Sequence, residues 1–256
     1  MRNWRIIAIV AAVSLGAACT DVAAPEEIDS ASAVQAEEVS FLTRGGTDVF
    51  EEGDQVGLYA LEPINAYDIT LTLTGSALVP STPVYWAKRQ STATTFVACY
   101  PGGVGFVPTR ESYFRVALDQ SGDRAFHRSD LMGAVTTAAP SDGAVSFNFK
   151  HMLCRIQLTI DPGKSGKVPV TVLVSNVPVG AYVDIFGGAV RNTEDFGEIK
   201  AHKSADNLWE FIMAPGTTGP IITVTMEDGS IAEFDPEIDN TRFRFGGVHT
   251  ATLTLR

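Results

Sequence analysis

The sequence predicts an all-β protein of packed antiparallel sheets, of the sandwich type. Three observations lead there. No long window keeps the 3.6-residue period of a helix. Short runs of alternating apolar and polar residues recur along the chain instead. Gly, Pro, Asn and Asp punctuate those runs at the spacing of turns, the pattern of sheets packed face to face.

The chain begins with "MRNWRIIAIVAAVSLGAACT", in which Arg2 and Arg5 form a basic start and Ile6 to Val13 an apolar core. A membrane-spanning helix needs roughly 20 apolar residues. This run is shorter and predicts an exported chain with a signal peptide over 1–18. Gly16-Ala17-Ala18 leads into Cys19 and resembles a lipoprotein cleavage box, with Cys19 as the acylated first residue. Ordinary signal cleavage nearby is the competing reading. Acyl chains on Cys19 would anchor the protein to a membrane without spanning it. Residues 19–37 are small, acidic and free of aromatic side chains, so they read as a tether that cannot bury enough apolar area to order itself.

Strands are predicted at Val39–Thr43, Val56–Leu61, Ile69–Leu73, Thr95–Tyr100, Ser146–Ile160, Val168–Val174, Leu208–Ala214, Ile221–Met226 and His249–Leu255. Turns are expected at Asp161–Lys167, Phe186–Gly197 and Glu227–Ser230, and a short helical turn within Arg128–Ala138. The polar, Gly- and Pro-bearing break Ala139–Phe147 divides the β-rich part into an N-terminal domain, 38–144, and a C-terminal domain, 145–256.

Composition excludes some functions. A formal charge of −11 argues against nucleic acid and anionic lipid surfaces as partners. Apart from Cys19 there are two cysteines, Cys99 and Cys154. In "HMLCRIQLTI", Met152, Cys154, Ile156, Leu158 and Ile160 share one face, which makes Cys154 a small buried hydrophobe. A Cys99–Cys154 disulfide and two separate core thiols both remain open. No pair among His127, His151, His202 and His249 has metal-ligand spacing, and no metal or cofactor site is expected. "GKSGK" at Gly163 is a turn and not a phosphate loop, because the upstream glycine is missing. "DPEIDN" at Asp235 spaces oxygens as a calcium loop does but puts Pro236 second and Gly246 at the closing position, so it reads as an acidic loop. No GxSxG elbow occurs, and no catalytic residues are assigned. Tyr85, Trp86, Tyr113 and Trp209 could form a sugar-stacking surface or pack within sheets.

Five segments, taken in order, carry a resemblance: "FEEGDQVGLYAL" from Phe50, "FVACYPGG" from Phe96, "DQSGDRAFHRSDLMGA" from Asp119, "VSFNFKHMLCRIQLTI" from Val145 and "FRFGGVHTATLTL" from Phe243. Together they are similar to the fimbrillin (Mfa-like) family, the type V pilus subunits of anaerobic Gram-negative bacteria. The resemblance implies two transthyretin-like antiparallel β-sandwich domains in tandem. It also implies export as an outer-membrane lipoprotein anchored through Cys19, and other pilus subunits as partners. In polymerising members an arginine-directed protease removes the first strand, and a strand from a neighbouring subunit fills the groove. On this chain the resemblance places the cut after Arg44, with Gly45 as the new first residue and Glu38–Thr43 removed. Arg44-Gly45-Gly46 would give an accessible, extendable backbone for a protease. If a C-terminal strand is donated it is Gly247–Leu255, and shaft, tip and anchor roles all stay open. The alternative is a non-polymerising surface lipoprotein that binds a glycan or host ligand.

Overall fold

The structure is a computed structural model and describes residues 37–43, 50–88, 91–102, 110–216, 218–234 and 243–255. In chain order its elements are β1 (Phe41–Thr43), β2 (Gln55–Ala60), β3 (Ala66–Thr74), β4 (Ala77–Pro80), β5 (Thr94–Tyr100), β6 (Ser112–Arg115), α1 (Asp123–Ser129), β7 (Met132–Ala138), β8 (Val145–Phe147) and β9 (Lys150–His151). There follow β10 (Cys154–Asp161), β11 (Pro169–Pro178), β12 (Gly180–Asp184), β13 (Ala189–Asn192), β14 (Phe196–Lys200), β15 (His202–Ala205), β16 (Leu208–Met213), β17 (Ile221–Met226), β18 (Ile231–Phe234) and β19 (Val248–Thr254). The protein is all-β, two β-sandwiches in tandem.

The first sandwich is a single sheet in the order β8-β1-β4-β3-β2-β5-β7-β9. It curls until its ends approach: the Thr136 hydroxyl on β7 donates to the Ser146 carbonyl on β8 at 3.0 Å. Phe41, Phe96, Phe147, Leu58, Leu71 and Leu78 fill the interior. The second sandwich packs β15-β16-β10-β19 against β14-β11-β17-β18. Its core holds Ile156, Leu158 and Ile160 from β10, Val172 and Val174 from β11, and Ile222 and Val224 from β17. Pairing between the strands is antiparallel except for β1 with β8 and β10 with β19, which run parallel.

The sandwiches share a wall. On β5 the alternate residues Phe96, Ala98 and Tyr100 face the first core. Val97 and Cys99 face the second. A strand buried on both faces loses alternation, which is why "TTFVACY" reads as a continuous apolar run. The connection after β5 also crosses over: β6 pairs with β12 and β13 in a three-stranded sheet, and α1 sets Phe126 between the Arg155 guanidinium (5.2 Å) and the His202 ring (4.9 Å). Gly133 on β7 lies against Ile185, where a Cβ would stand 2.7 Å from the Ile185 Cγ2. Cys99 and Cys154 are both buried free thiols, and burial pushes each thiol up, Cys99 to about 11 and Cys154 to about 12.

Three expectations change. The helix lies earlier than predicted, at Asp123–Ser129, and Met132–Ala138 is a strand. Val135 and Thr137 face outward there while Ala134 and Ala138 point inward, a two-residue period that small side chains hide. The run Ser146–Ile160 is three strands, with β8 and β9 in the first sheet and β10 in the second. The polar break at 139–144 therefore joins β7 to β8 within one sheet, and the chain passes to the second sandwich after His151. The expected turn Phe186–Gly197 contains β13 and the start of β14.

The Asp130 carboxylate beside His151 (Nδ1 to Oδ1, 2.9 Å) holds the imidazole above its ordinary value, mainly through that hydrogen bond. A pKa raised by folding adds stability that is full below the unfolded value of about 6.5 and is lost as pH rises through the folded value. The denaturation midpoint is expected to fall between about pH 6 and about pH 8, and His151→Gln to flatten that part of the profile. Gly133→Val should lower stability by about 1–3 kcal/mol through overpacking against Ile185, read by chemical denaturation.

Candidate functional site: the first-strand slot

β1 is three residues long, yet the segment that carries it is bound on both sides. Along one flank Trp86 N donates to the Glu37 carbonyl at 2.9 Å and Val39 N to the Val84 carbonyl at 2.8 Å. Glu38 bridges Tyr85, and β1 then pairs antiparallel with β4, Phe41 opposite Leu78 and Leu42 opposite Ala77. Along the other flank Val145 N donates to the Ser40 carbonyl at 2.8 Å. There β1 runs parallel with β8, setting Phe41, Leu42 and Thr43 beside Val145, Ser146 and Phe147.

The two-residue period turns Val39 and Phe41 inward, at 1% and 2% exposure, and leaves Glu38 and Ser40 in solvent. Phe41 meets Phe96 edge to face at 5.8 Å and lies nearly parallel to Phe147 at 6.1 Å. Trp86 closes the set edge-on to Phe96 at 5.7 Å. Burying each of Val39 and Phe41 contributes roughly 1.5–3 kcal/mol, and their ring contacts add to this. The first strand is thus a short interior strand with two apolar anchors, and the slot that it fills is walled by β4, β8 and Phe96.

The expected strand at Val39–Thr43 is present, and within Glu38–Thr43 its two inward positions are Val39 and Phe41. Cys19, Arg44 and Gly45 lie outside the described residues, as does the acidic loop at Asp235. Of the flanking strands, β4 is not among the expected ones, and β8 is expected only as the start of the longer run Ser146–Ile160. "ALVP" of β4 is too short to show a period, and β8 merges into the longer run after it. The sugar-stacking surface of Tyr85, Trp86, Tyr113 and Trp209 is not formed. Trp86 is in the first core and Trp209 in the second, while Tyr85 and Tyr113 are exposed. Among the described residues no group of histidine, cysteine or acidic side chains could hold a metal ion, and no helix is long and apolar enough to cross a membrane.

The family model described as fimbrillin-like matches residues 43–256, from the end of β1 to the last residue. The chain belongs to the fimbrillin-like family. In fold this fimbrillin-like chain is similar to a candidate cell adhesion protein from Bacteroides uniformis, with a TM-score of 0.68 and 22% identity over 85% of this chain and 93% of that one. A second candidate cell adhesion protein, from Bacteroides ovatus, aligns with a TM-score of 0.68 and 13% identity over 86% and 92%. A fimbrial protein from Bacteroides ovatus aligns with a TM-score of 0.53 and 16% identity over 86% of this chain and 50% of its own. No curated protein matches. At these identities the structural likenesses bear on the fold alone; membership of the fimbrillin-like family implies a structural role at the cell surface, in a fimbrium.

Phe41→Ala should cost about 3–5 kcal/mol in chemical denaturation, the range for emptying a packed aromatic site. Ser40→Ala, on the solvent face of the same segment, should stay within about 0.5 kcal/mol of the parent.

Proposed function

We propose that this protein is a pilus subunit that assembles by β-strand exchange after cleavage at Arg44. One observation carries the reading: the segment ending at Thr43, immediately before Arg44, is an interior strand paired on both flanks. Cutting after Arg44 breaks none of the contacts of Val39 and Phe41. It only frees the strand to be exchanged for an equivalent one. Removing it leaves unpaired edges on β4 and β8, and such edges are templates for a strand from another chain. The replacement has to run antiparallel to β4 and parallel to β8, with an aromatic or large aliphatic side chain at the Phe41 position and a smaller apolar one at the Val39 position. In this reading 1–18 is a signal peptide, Cys19 carries the acyl chains that hold the precursor at the outer membrane, and 19–37 is the tether that leaves with the first strand. Other pilus subunits are the partners, as shaft, tip or anchor.

A second reading is a surface-anchored lipoprotein that keeps β1 and binds a glycan or host ligand. The completeness of the first sheet favours it, because with β1 in place no slot is open.

An arginine-specific protease separates the two. Treated parent protein should form heat-stable polymers on gels, and Arg44→Ala should remain monomeric. Arg191→Ala, an exposed arginine paired with Glu111, should process like the parent. A synthetic peptide of residues 37–43 in excess should slow assembly by refilling the slot. Polymers formed normally by Arg44→Ala would falsify the cut site, and a cleaved chain that stays monomeric would favour the second reading.

A further inference from the structure

A cleft of about 220 Å³ opens where the segment before β2, the end of β5 and α1 come together. Its floor is close-packed backbone. Gly102 N donates to the Gln55 carbonyl at 2.6 Å, and a Cβ on Gly102 would stand 2.8 Å from that oxygen. One wall carries hydrogen-bond acceptors. Asp54 accepts from Glu51 N at 2.9 Å and from the Tyr100 hydroxyl at 3.3 Å. Glu51 also lies 3.3 Å from His127 Nδ1. Burial and the neighbouring Asp54 push the Tyr100 phenol up; its one O–H is given to Asp54, which leaves the phenol oxygen as an acceptor in the cleft.

The other wall is α1, which presents Arg124 and Arg128 four residues apart, on one helix face. Both are exposed. Arg115, Arg155 and Arg191 each engage a carboxylate. Arg124 and Arg128 have no carboxylate partner among the described residues, in a chain of formal charge −11. Two guanidiniums without a carboxylate partner share the cleft with the Glu51 and Asp54 carboxylates and the Tyr100 phenol, which makes a mixed site. The guanidiniums suit a single carboxylate. The acceptors and the phenol suit hydroxyl groups, and the two carboxylates repel a dianion such as phosphate. Beyond Pro101 and Arg128 the cleft widens into a groove lined by Phe114, Val116 and Ala125, with room for the residue attached to the bound one.

We infer that this cleft binds a carboxylate-bearing sugar, with Arg124 and Arg128 on the carboxylate and Glu51, Asp54 and Tyr100 on the ring hydroxyls. The site gives the binding reading above a ligand class. It is independent of strand exchange, since neither β1 nor Arg44 takes part, so loss of sugar binding and loss of polymerisation are separate results.

Calorimetric titration of the full-length protein tests it, with glucuronate and N-acetylneuraminate as probes, glucose as the neutral ring and acetate as the bare carboxylate. At least one acidic sugar should bind, and more weakly as salt is raised. The double variant Arg124→Ala/Arg128→Ala should bind about tenfold less tightly or worse, as loss of a charge-assisted pair predicts. Glu51→Gln should weaken the sugar while acetate binds as well or better, since a repelling charge is removed, and it serves as the readout if the double variant unfolds. Failure of both acidic sugars to bind overturns the inference, as does unchanged affinity in the double variant. Equal binding of glucose removes the carboxylate from recognition. Equal binding of acetate, or of a short peptide with a free C-terminus, removes the sugar.

Discussion

The first sandwich depends on Phe41. Its ring stands between Phe96 on one side of the curled sheet and Phe147 on the other, while its backbone lies between β4 and β8. Without it the sheet would divide into β4-β3-β2-β5-β7-β9 and a short β8 held mainly by its contacts with β7. Three residues of strand and two buried side chains thus close a body of eight strands. For an element so short the slot specifies only polarity and two alternate side chains.

The double burial of β5 ties this slot to the rest of the molecule. Phe96 contacts Phe41, and the next residue, Val97, belongs to the second core. A strand whose two faces are both in cores cannot shift register without moving apolar residues in both directions at once. The wall behind Phe41 is therefore held in register from both faces, which suits the strand exchange proposed above. Gly133 and Ile185 set the close approach of the two bodies on the neighbouring strand β7.

The crossover after β5 has a similar consequence for the cleft at α1. Its walls come from Glu51 before β2, Tyr100 at the end of β5 and the helix that follows β6. Residues from 24 (Tyr100 to Arg124) to 77 (Glu51 to Arg128) positions apart in sequence meet there because the chain after β5 crosses over to pair β6 with β12. Gln120 stabilises the same crossing. It is fully buried, donates to the Ala117 and Ile212 carbonyls and accepts from Ile212 N, serving a stretch of β16 that β15 does not reach.

The sequence by itself determined the all-β class, most of the long strands and the family. Those properties are written in local alternation and in motifs of contiguous residues. The face shared by Cys154, Ile156, Leu158 and Ile160 is read directly and is buried as read. Only the tertiary structure decided which strands flank the first one, that Val145–Phe147 returns to the first sheet, and that Trp86 and Trp209 lie in different cores. β4 and β8 are too short to carry a period of their own, and their partners are distant in sequence. Strand order is a balance among long-range apolar contacts that no local window contains, and the slot around Phe41 and the cleft beside Arg128 both arise from that order.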